Sequence, residues 1–314
     1  MEGSDPAHGP RLLAYAGIPT FMRQTTSRLW MGVDVAVVGV PFDSGAVSFR
    51  SGSRLGPRKI REASLLLWGY NEALRVAPLD VLHMADYGDV IVEPANLDTT
   101  MRNIVAEVGS ILEAGPTVIA LGGDHSISLP LLRAHAARFG PLAVIHLDAH
   151  PDTWEGQVDH STPFRHAIQE GLIDTKAYMQ IGVRGPVWDA TDIPSAKDLG
   201  AQVLTTQTCM EAGIPAIVQM VRDRVGARRT YVSLDIDVAD PAYAPGVGTP
   251  EVGGLTSYQL LQLVRGMQGL NLVGFDLVEV CPPYDCSEIT AILAANLVFE
   301  FLSLLALRRR AGGS

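Results

Sequence analysis

The sequence predicts an α/β fold in a single domain, built on a parallel sheet with helices on both faces. Short, β-rich apolar runs recur along the 314 residues, and longer helical patterns separate them. Strands that are apolar throughout, rather than alternating, belong to a sheet buried on both sides. A third observation agrees with these two. Polar clusters fall just past the carboxyl ends of the runs, where open parallel sheets bind their ligands.

Residues 1–33 come first and carry Gly, Pro and polar residues around the apolar patch "AYAGIPTFM". They are expected to form an arm over the core or over a neighbouring subunit, leaving 34–314 as the domain proper. "DVAVVGV" at 34–40 is the first predicted strand. "TVIALGG" at 117–123 follows, and Asp124 and His125 come directly after it. "LAVIHLD" at 142–148 leads into Asp148, His150 and Asp152, and "MQIGVRG" at 179–185 is the next run. "TYVSLDID" at 230–237 carries Asp235 and Asp237, and "LVGFDLVEV" at 272–280 carries Glu279. Side chains on an extended segment alternate faces, so Asp148, His150 and Asp152 share one face if the strand continues, which Pro151 puts in question. Arg308, Arg309 and Arg310 follow an apolar helical run and read as a helix C-terminus complementing its dipole.

Composition narrows the function. A formal net charge of -10 argues against a general binder of nucleic acid or anionic membrane, which needs clustered Lys and Arg. The start, "MEGSDPAHGP", has no basic stretch followed by an apolar signal core, and no later apolar run is expected to approach the roughly 18 residues of a membrane span. A cytoplasmic home is the expectation. Cys209, Cys281 and Cys286 are too few and too irregular for a disulfide framework or a zinc knuckle, and read as ordinary thiols.

Each polar residue has a plain structural reading. His125 alone can be a helix-entry residue, Asp124 an N-cap, and a lone strand-end Asp a turn former. Asp148, His150 and Asp152 resist that reading as a group. Two carboxylates and an imidazole crowded at a buried strand end repel or lose solvation unless a cation joins them. With His125, Asp235 and Asp237 the set reaches four carboxylates and two imidazoles, enough for two metal ions. Carboxylate-rich ligation without thiolate suits hard or borderline divalent ions, and manganese fits it well. Two such ions can share a water and lower its pKa.

"GGDHSIS", "HLDAHPDTW" and "SLDIDVADPAYAPGVGTPE" resemble the three signature segments of the ureohydrolase family, and the likeness covers nearly the whole chain. It is strongest toward the agmatinase branch, which includes guanidinobutyrases and proclavaminate amidinohydrolases. The resemblance implies an arginase-type domain with a mostly parallel eight-stranded sheet, two Mn²⁺ ions per chain, and trimers or hexamers. By matched motif, one ion takes His125, Asp148, Asp152 and Asp235, and the other takes His150, Asp148, Asp235 and Asp237. It further implies hydrolysis of a guanidinium group to urea and an amine. In that scheme Asp152 orients the attacking water, Glu279 pairs with the substrate guanidinium, and His160 shuttles a proton to the departing amine.

Trp154 and Arg165 join Glu279 and His160 as substrate-binding candidates. Two departures from the family pattern concern the mouth of the pocket. His160-Ser161 stands where His-Gly is usual, and the segment from Thr153 to Asp159 is several residues shorter than usual. A short rim predicts room for a substrate bulkier than agmatine, with Trp154 offering a flat apolar surface; the alternative is that the arm at 14–24, from the same or a neighbouring subunit, fills the gap and restores a small pocket. The competing readings are a one-zinc deacetylase-like amidohydrolase of the same fold and a metal-free relative without catalysis. His125 and Asp237, as ligands for a second ion, speak against the former; the retained aspartates and Glu279 speak against the latter.

Overall fold

The computed structural model describes residues 13–44 and 48–312. In chain order these hold β1 (Val35–Gly39), α1 (Gly56–Ser64), β2 (Met84–Asp89), α2 (Leu97–Ala114), β3 (Thr117–Leu121), α3 (Ser128–Phe139), β4 (Leu142–Leu147) and α4 (Pro163–Gln169). Then come β5 (Ile173–Val183), α5 (Asp192–Asp198), β6 (Gln202–Thr205), α6 (Thr206–Ala212), α7 (Ile214–Val225), β7 (Arg229–Asp235), α8 (Ser257–Gly266), β8 (Asn271–Val278) and α9 (Ile289–Arg310). The strands form one sheet in the order β2-β1-β3-β8-β7-β4-β5-β6, and every pairing is parallel.

The path explains where a crevice opens. From β1 the chain runs out to the β2 edge, returns to β3, and then leaves a gap before β4, β5 and β6 build the other edge. Strands β7 and β8 fill that gap last. The carboxyl ends of β3, β8, β7 and β4 therefore lie side by side at the centre of the sheet.

Six strands coincide with the predicted runs, and β2 and β6 are additions. Both are edge strands of mixed composition, "MADYGD" and "QVLT". An edge strand is covered less completely, so it needs no continuous apolar run. The inner strands β1 and β4 are buried at every position. Their two faces feed two cores. One packs Ile60, Ile217, Leu260, Leu263 and Leu297 against the sheet, and the other packs Ile104, Val108, Leu131 and Phe164.

Helix α9 corrects one expectation. It runs for 22 residues and is long and apolar enough to cross a membrane, but 83% of its apolar window is buried inside the protein. Thr290, Glu300 and Ser303 interrupt the apolar run and hide its length in the sequence. All three are buried, and Glu300 accepts hydrogen bonds from Arg265 Nη2 (2.5 Å) and Asn71 Nδ2 (2.9 Å). Arg308, Arg309 and Arg310 occupy its last turn, where their charge opposes the negative end of the helix dipole.

Before β1, the side chain of Phe21 is fully buried. Its N–H donates to Asp86 Oδ2 at 2.7 Å, and the Met22 N–H donates to Ser64 Oγ at 2.8 Å. Leu13, Tyr15, Ile18, Leu29 and Met31 are exposed. Cys209 and Cys281 are buried free thiols, and Cys286 is an exposed one.

Candidate metal centre and active site

Four strand ends build the site. After β3 the chain passes through Gly123, where a Cβ would stand 1.7 Å from the Phe42 carbonyl oxygen. Only glycine lets the two backbones approach so closely. The Gly123 and Asp124 N–H groups donate to Val40 O and Phe42 O, at 2.9 and 2.8 Å. Asp124 then caps a 3-10 turn, His125–Ile127, by accepting from the Ser126 N–H. His125 thus enters the crevice on a backbone fixed from below.

Strand β4 stops at Leu147, so the expectation of an extended Asp148–His150–Asp152 face does not hold. A turn brings them together instead. The Asp148 N–H donates to Ile181 O at 3.0 Å, the His150 N–H donates to Asp148 Oδ1 at 2.5 Å, and Asp152 adopts a left-handed backbone with φ of 46°. Gly182, at φ 106°, leaves room on β5 for this turn, since a Cβ there would stand 3.0 Å from Asp148 O. Asp235 closes β7 and caps a 3-10 turn, accepting from the Asp237 N–H at 2.8 Å. Glu279 follows β8 at φ 65°, and its N–H donates to Gly123 O at 2.8 Å.

These turns bring the six predicted residues into one cluster. His125 Nδ1 lies 3.1 Å from Asp148 Oδ2, 2.9 Å from Asp152 Oδ2 and 3.4 Å from Asp235 Oδ2. His150 Nδ1 lies 2.9 Å from Asp237 Oδ2 and 3.5 Å from Asp148 Oδ1. Asp148 therefore faces both groups, one oxygen to each. His125 and the four aspartates are buried, and His150 is partly exposed.

Burial, then the charges of Asp237 and Asp148, push the Asp235 carboxyl well above the usual range. Burial, then the charge of Asp148, raises Asp152. Asp148 is held well below the usual range, its own burial outweighed by the imidazoles of His146, His125 and His150. Buried carboxylates at this density call for a cation.

Asp276 is buried and accepts from Ser128 Oγ, Tyr231 OH and Ser233 Oγ at 2.9, 2.7 and 2.6 Å. With its proton committed to Asp276, Ser233 Oγ accepts from His125 Nε2, 2.9 Å away. Burial pulls the His125 imidazole down, but the carboxylates of Asp148, Asp152 and Asp235 hold it well above its usual range; in the neutral form that ligates a metal, Nδ1 is the unprotonated nitrogen. It makes no hydrogen bond, although three carboxylates surround it. One imidazole nitrogen facing three carboxylates is held by a shared proton or by a cation, and this nitrogen-and-oxygen donor set fits a divalent ion. Asp237 Oδ2 also makes no hydrogen bond.

Around the cluster, Glu279 Oε1 accepts from the His125 N–H at 2.9 Å and lies 3.4 Å from His160 Nδ1. Burial pulls the His160 imidazole down, but the hydrogen bond and charge of Glu279 push it up to about 9. The Trp154 ring stands 6.4 Å from that of His150, tilted by 49°. The Arg165 guanidinium is occupied by the rim: Nε donates to Thr153 O at 2.7 Å, Nη2 to Ser195 Oγ at 3.0 Å, and Nη1 lies 3.4 Å from Glu155.

His146 was not anticipated, yet its Nε2 lies 2.7 Å from Asp148 Oδ2. It also falls within the carboxylate–imidazole group formed by His125, Asp148 and Asp152. Its place two residues before Asp148 on the same strand face was the available signal.

A parallel sheet with a buried Asp/His cluster at its carboxyl edge, flanked by a glutamate and a histidine, defines a metal-binding hydrolase. The chain belongs to the arginase family, which its residues 33–303 match. It is 44% identical over 307 residues to guanidinopropionase of Pseudomonas aeruginosa, covering 96% of this chain and 95% of that protein. The structure of proclavaminate amidinohydrolase from Streptomyces clavuligerus superposes with a TM-score of 0.89 at 42% identity, over 94% of this chain and 99% of that one. A hypothetical agmatinase from Burkholderia thailandensis gives 0.91 at 42% identity, over 98% and 96%. As in these relatives, the chemistry is that of the ureohydrolases, hydrolysis of a guanidino-type carbon–nitrogen bond.

Proposed function

We propose that this chain cleaves the guanidino group of a small guanidinoalkyl compound to urea and an amine. His125, Asp148, Asp152 and Asp235 would hold one divalent ion, and Asp148, His150, Asp235 and Asp237 a second, with Mn²⁺ the preferred metal. The carrying observation is the Nδ1 of His125 standing 2.9 to 3.4 Å from three carboxylates. When bound, such a pair of ions supplies Lewis acidity and activates water at neutral pH. The chain's own groups do the rest. Asp152 accepts a hydrogen bond from the attacking water and fixes its approach. Glu279, held by the His125 N–H, accepts from the planar donors of the substrate guanidinium. His160 delivers a proton to the departing amine, and its contact with Glu279 keeps it beside the scissile bond.

Chelation should abolish urea release, and Mn²⁺ should restore it with two ions per chain by elemental analysis. Full activity with a single bound ion would refute the two-ion reading.

The substrate tail belongs to the same proposal. Arg165 draws Thr153 and Glu155 down onto Ser195, leaving Glu155, Gly156 and Gln157 exposed and Trp154 as the apolar wall beside His150. This supports a tail longer than that of agmatine. Catalytic efficiencies on agmatine, 4-guanidinobutyrate and extended guanidinoalkyl compounds decide it, and activity that falls as the tail grows refutes the open mouth while sparing the reaction. A cytoplasmic trimer or hexamer completes the proposal. The exposed Tyr15, Ile18 and Met31 support an assembly contact, and a monomeric mass in solution would remove it.

A further inference from the structure

We propose that His146, Tyr178 and Gln180 form a one-way hydrogen-bond relay that positions Asp148, the carboxylate shared by the two groups of ligands. This rests on the metal reading above. The distances are continuous. Gln180 Nε2 donates to Pro151 O at 2.5 Å and to Tyr178 OH at 2.8 Å. Tyr178 OH lies 3.2 Å from His146 Nδ1, and His146 Nε2 lies 2.7 Å from Asp148 Oδ2. All three side chains are fully buried, so no solvent completes the pattern.

The polarity follows from counting protons. Pro151 O only accepts, which fixes the Gln180 amide with nitrogen toward it; the flipped amide would set two oxygens 2.5 Å apart. Both amide hydrogens are then used, one on Pro151 O and one on Tyr178 OH. The Tyr178 proton is left to donate, and His146 Nδ1 is the acceptor within reach. His146 must then carry its proton on Nε2, which donates to Asp148. The opposite tautomer would place a lone pair 2.7 Å from a carboxylate oxygen and leave the Tyr178 proton without an acceptor. Phe164 holds the imidazole in this plane, its ring 3.9 Å away and inclined by 25°.

With both nitrogens committed, His146 has no lone pair for a metal, although it lies within the same group of ligating side chains. Asp235, whose Oδ2 stands 3.4 Å from His125 Nδ1, takes that place. The relay also has a second end. Gln180 grips the carbonyl of Pro151, directly before Asp152, so a single amide on β5 braces both the shared carboxylate and the left-handed residue of the turn. Partners that orient a ligand in this way are typically worth about 10 to 100-fold in metal affinity.

The test measures Mn²⁺ binding and the rise in Tm that Mn²⁺ produces, for wild type, Tyr178→Phe, His146→Phe and the double variant. Tyr178→Phe keeps the ring and removes only the hydroxyl. His146→Phe keeps the stack on Phe164 and removes both nitrogens. The relay predicts Mn²⁺ affinity lower by about tenfold or more in Tyr178→Phe and a smaller Mn²⁺-dependent rise in Tm. It also predicts that the double variant binds Mn²⁺ no more weakly than His146→Phe alone. Unchanged affinity with metal-free and metal-loaded Tm lowered equally would reduce these residues to core packing and overturn the proposal. Independent, additive losses would overturn the relay. Failure of the wild type to bind Mn²⁺ would instead overturn the metal reading beneath it.

Discussion

Asp152 and Glu279 both stand in left-handed backbone, φ 46° and 65°, a conformation costing a non-glycine residue on the order of 1–3 kcal/mol and found where function demands it. The Glu279 carboxylate is aimed by that geometry and by the His125 N–H. Glu279→Gln keeps the shape and loses the charge, so kcat/KM should fall by about a hundredfold or more while the metal content by elemental analysis stays that of wild type; loss of metal would contradict the assignment. Two residues on, burial, then the charge of Glu279, pushes the Cys281 thiol up to about 12. It holds almost no thiolate at neutral pH, and Cys281→Ala should leave turnover within about threefold, since an inert thiol contributes no nucleophile. His135 gives a pH prediction away from the site. Buried against Tyr231, with Nδ1 2.7 Å from Leu131 O and no partner for Nε2, it is lowered by burial to about 4. The unfolded chain takes up this proton near pH 6.5 and the folded one does not. Stability attributable to His135 is complete above that pH and falls by about 1.4 kcal/mol per unit until both states are protonated near pH 4. Denaturation midpoints from pH 7.5 to 4.5 should show this one-proton slope in wild type and not in His135→Gln.

At the scale of elements, inner strands announce themselves and edge strands do not. Continuous apolar runs marked β1, β3, β4, β5, β7 and β8 because helices cover them on both sides; β2 and β6, at the edges, carry no such run. The six clustered polar residues were legible because each follows an apolar run closely, yet the turn that gathers Asp148, His150 and Asp152 was not. Its left-handed residue has no sequence mark when that residue is an aspartate. The Tyr178–His146 contact was hidden for another reason, since it joins neighbouring strands 32 positions apart. Helix signals were more local. Asn96 caps α2, accepting from the Thr99 N–H at 2.9 Å, and Asn96→Ala should lower unfolding stability by about 1 kcal/mol in urea titration, with m unchanged.

At the scale of the molecule, the place of β8 has a kinetic consequence. It pairs β3 on one side and β7 on the other, while β1, β2 and β3 otherwise share no strand pairing with β4, β5, β6 and β7. Without β8 the other strands form two separate ribbons, each with an unpaired inner edge. Docking must bring together residues as distant in sequence as Val118 and Gly274, and contacts of that range make for slow folding. The same step delivers the Glu279 N–H to Gly123 O. Closure of the sheet and placement of Glu279 therefore depend on the same strand, and are expected to occur together. After dilution from urea, helical signal should return early. Hydrogen-exchange protection of β8 should then rise at the same slow rate as release of the product amine, leaving no long-lived species that is folded but idle.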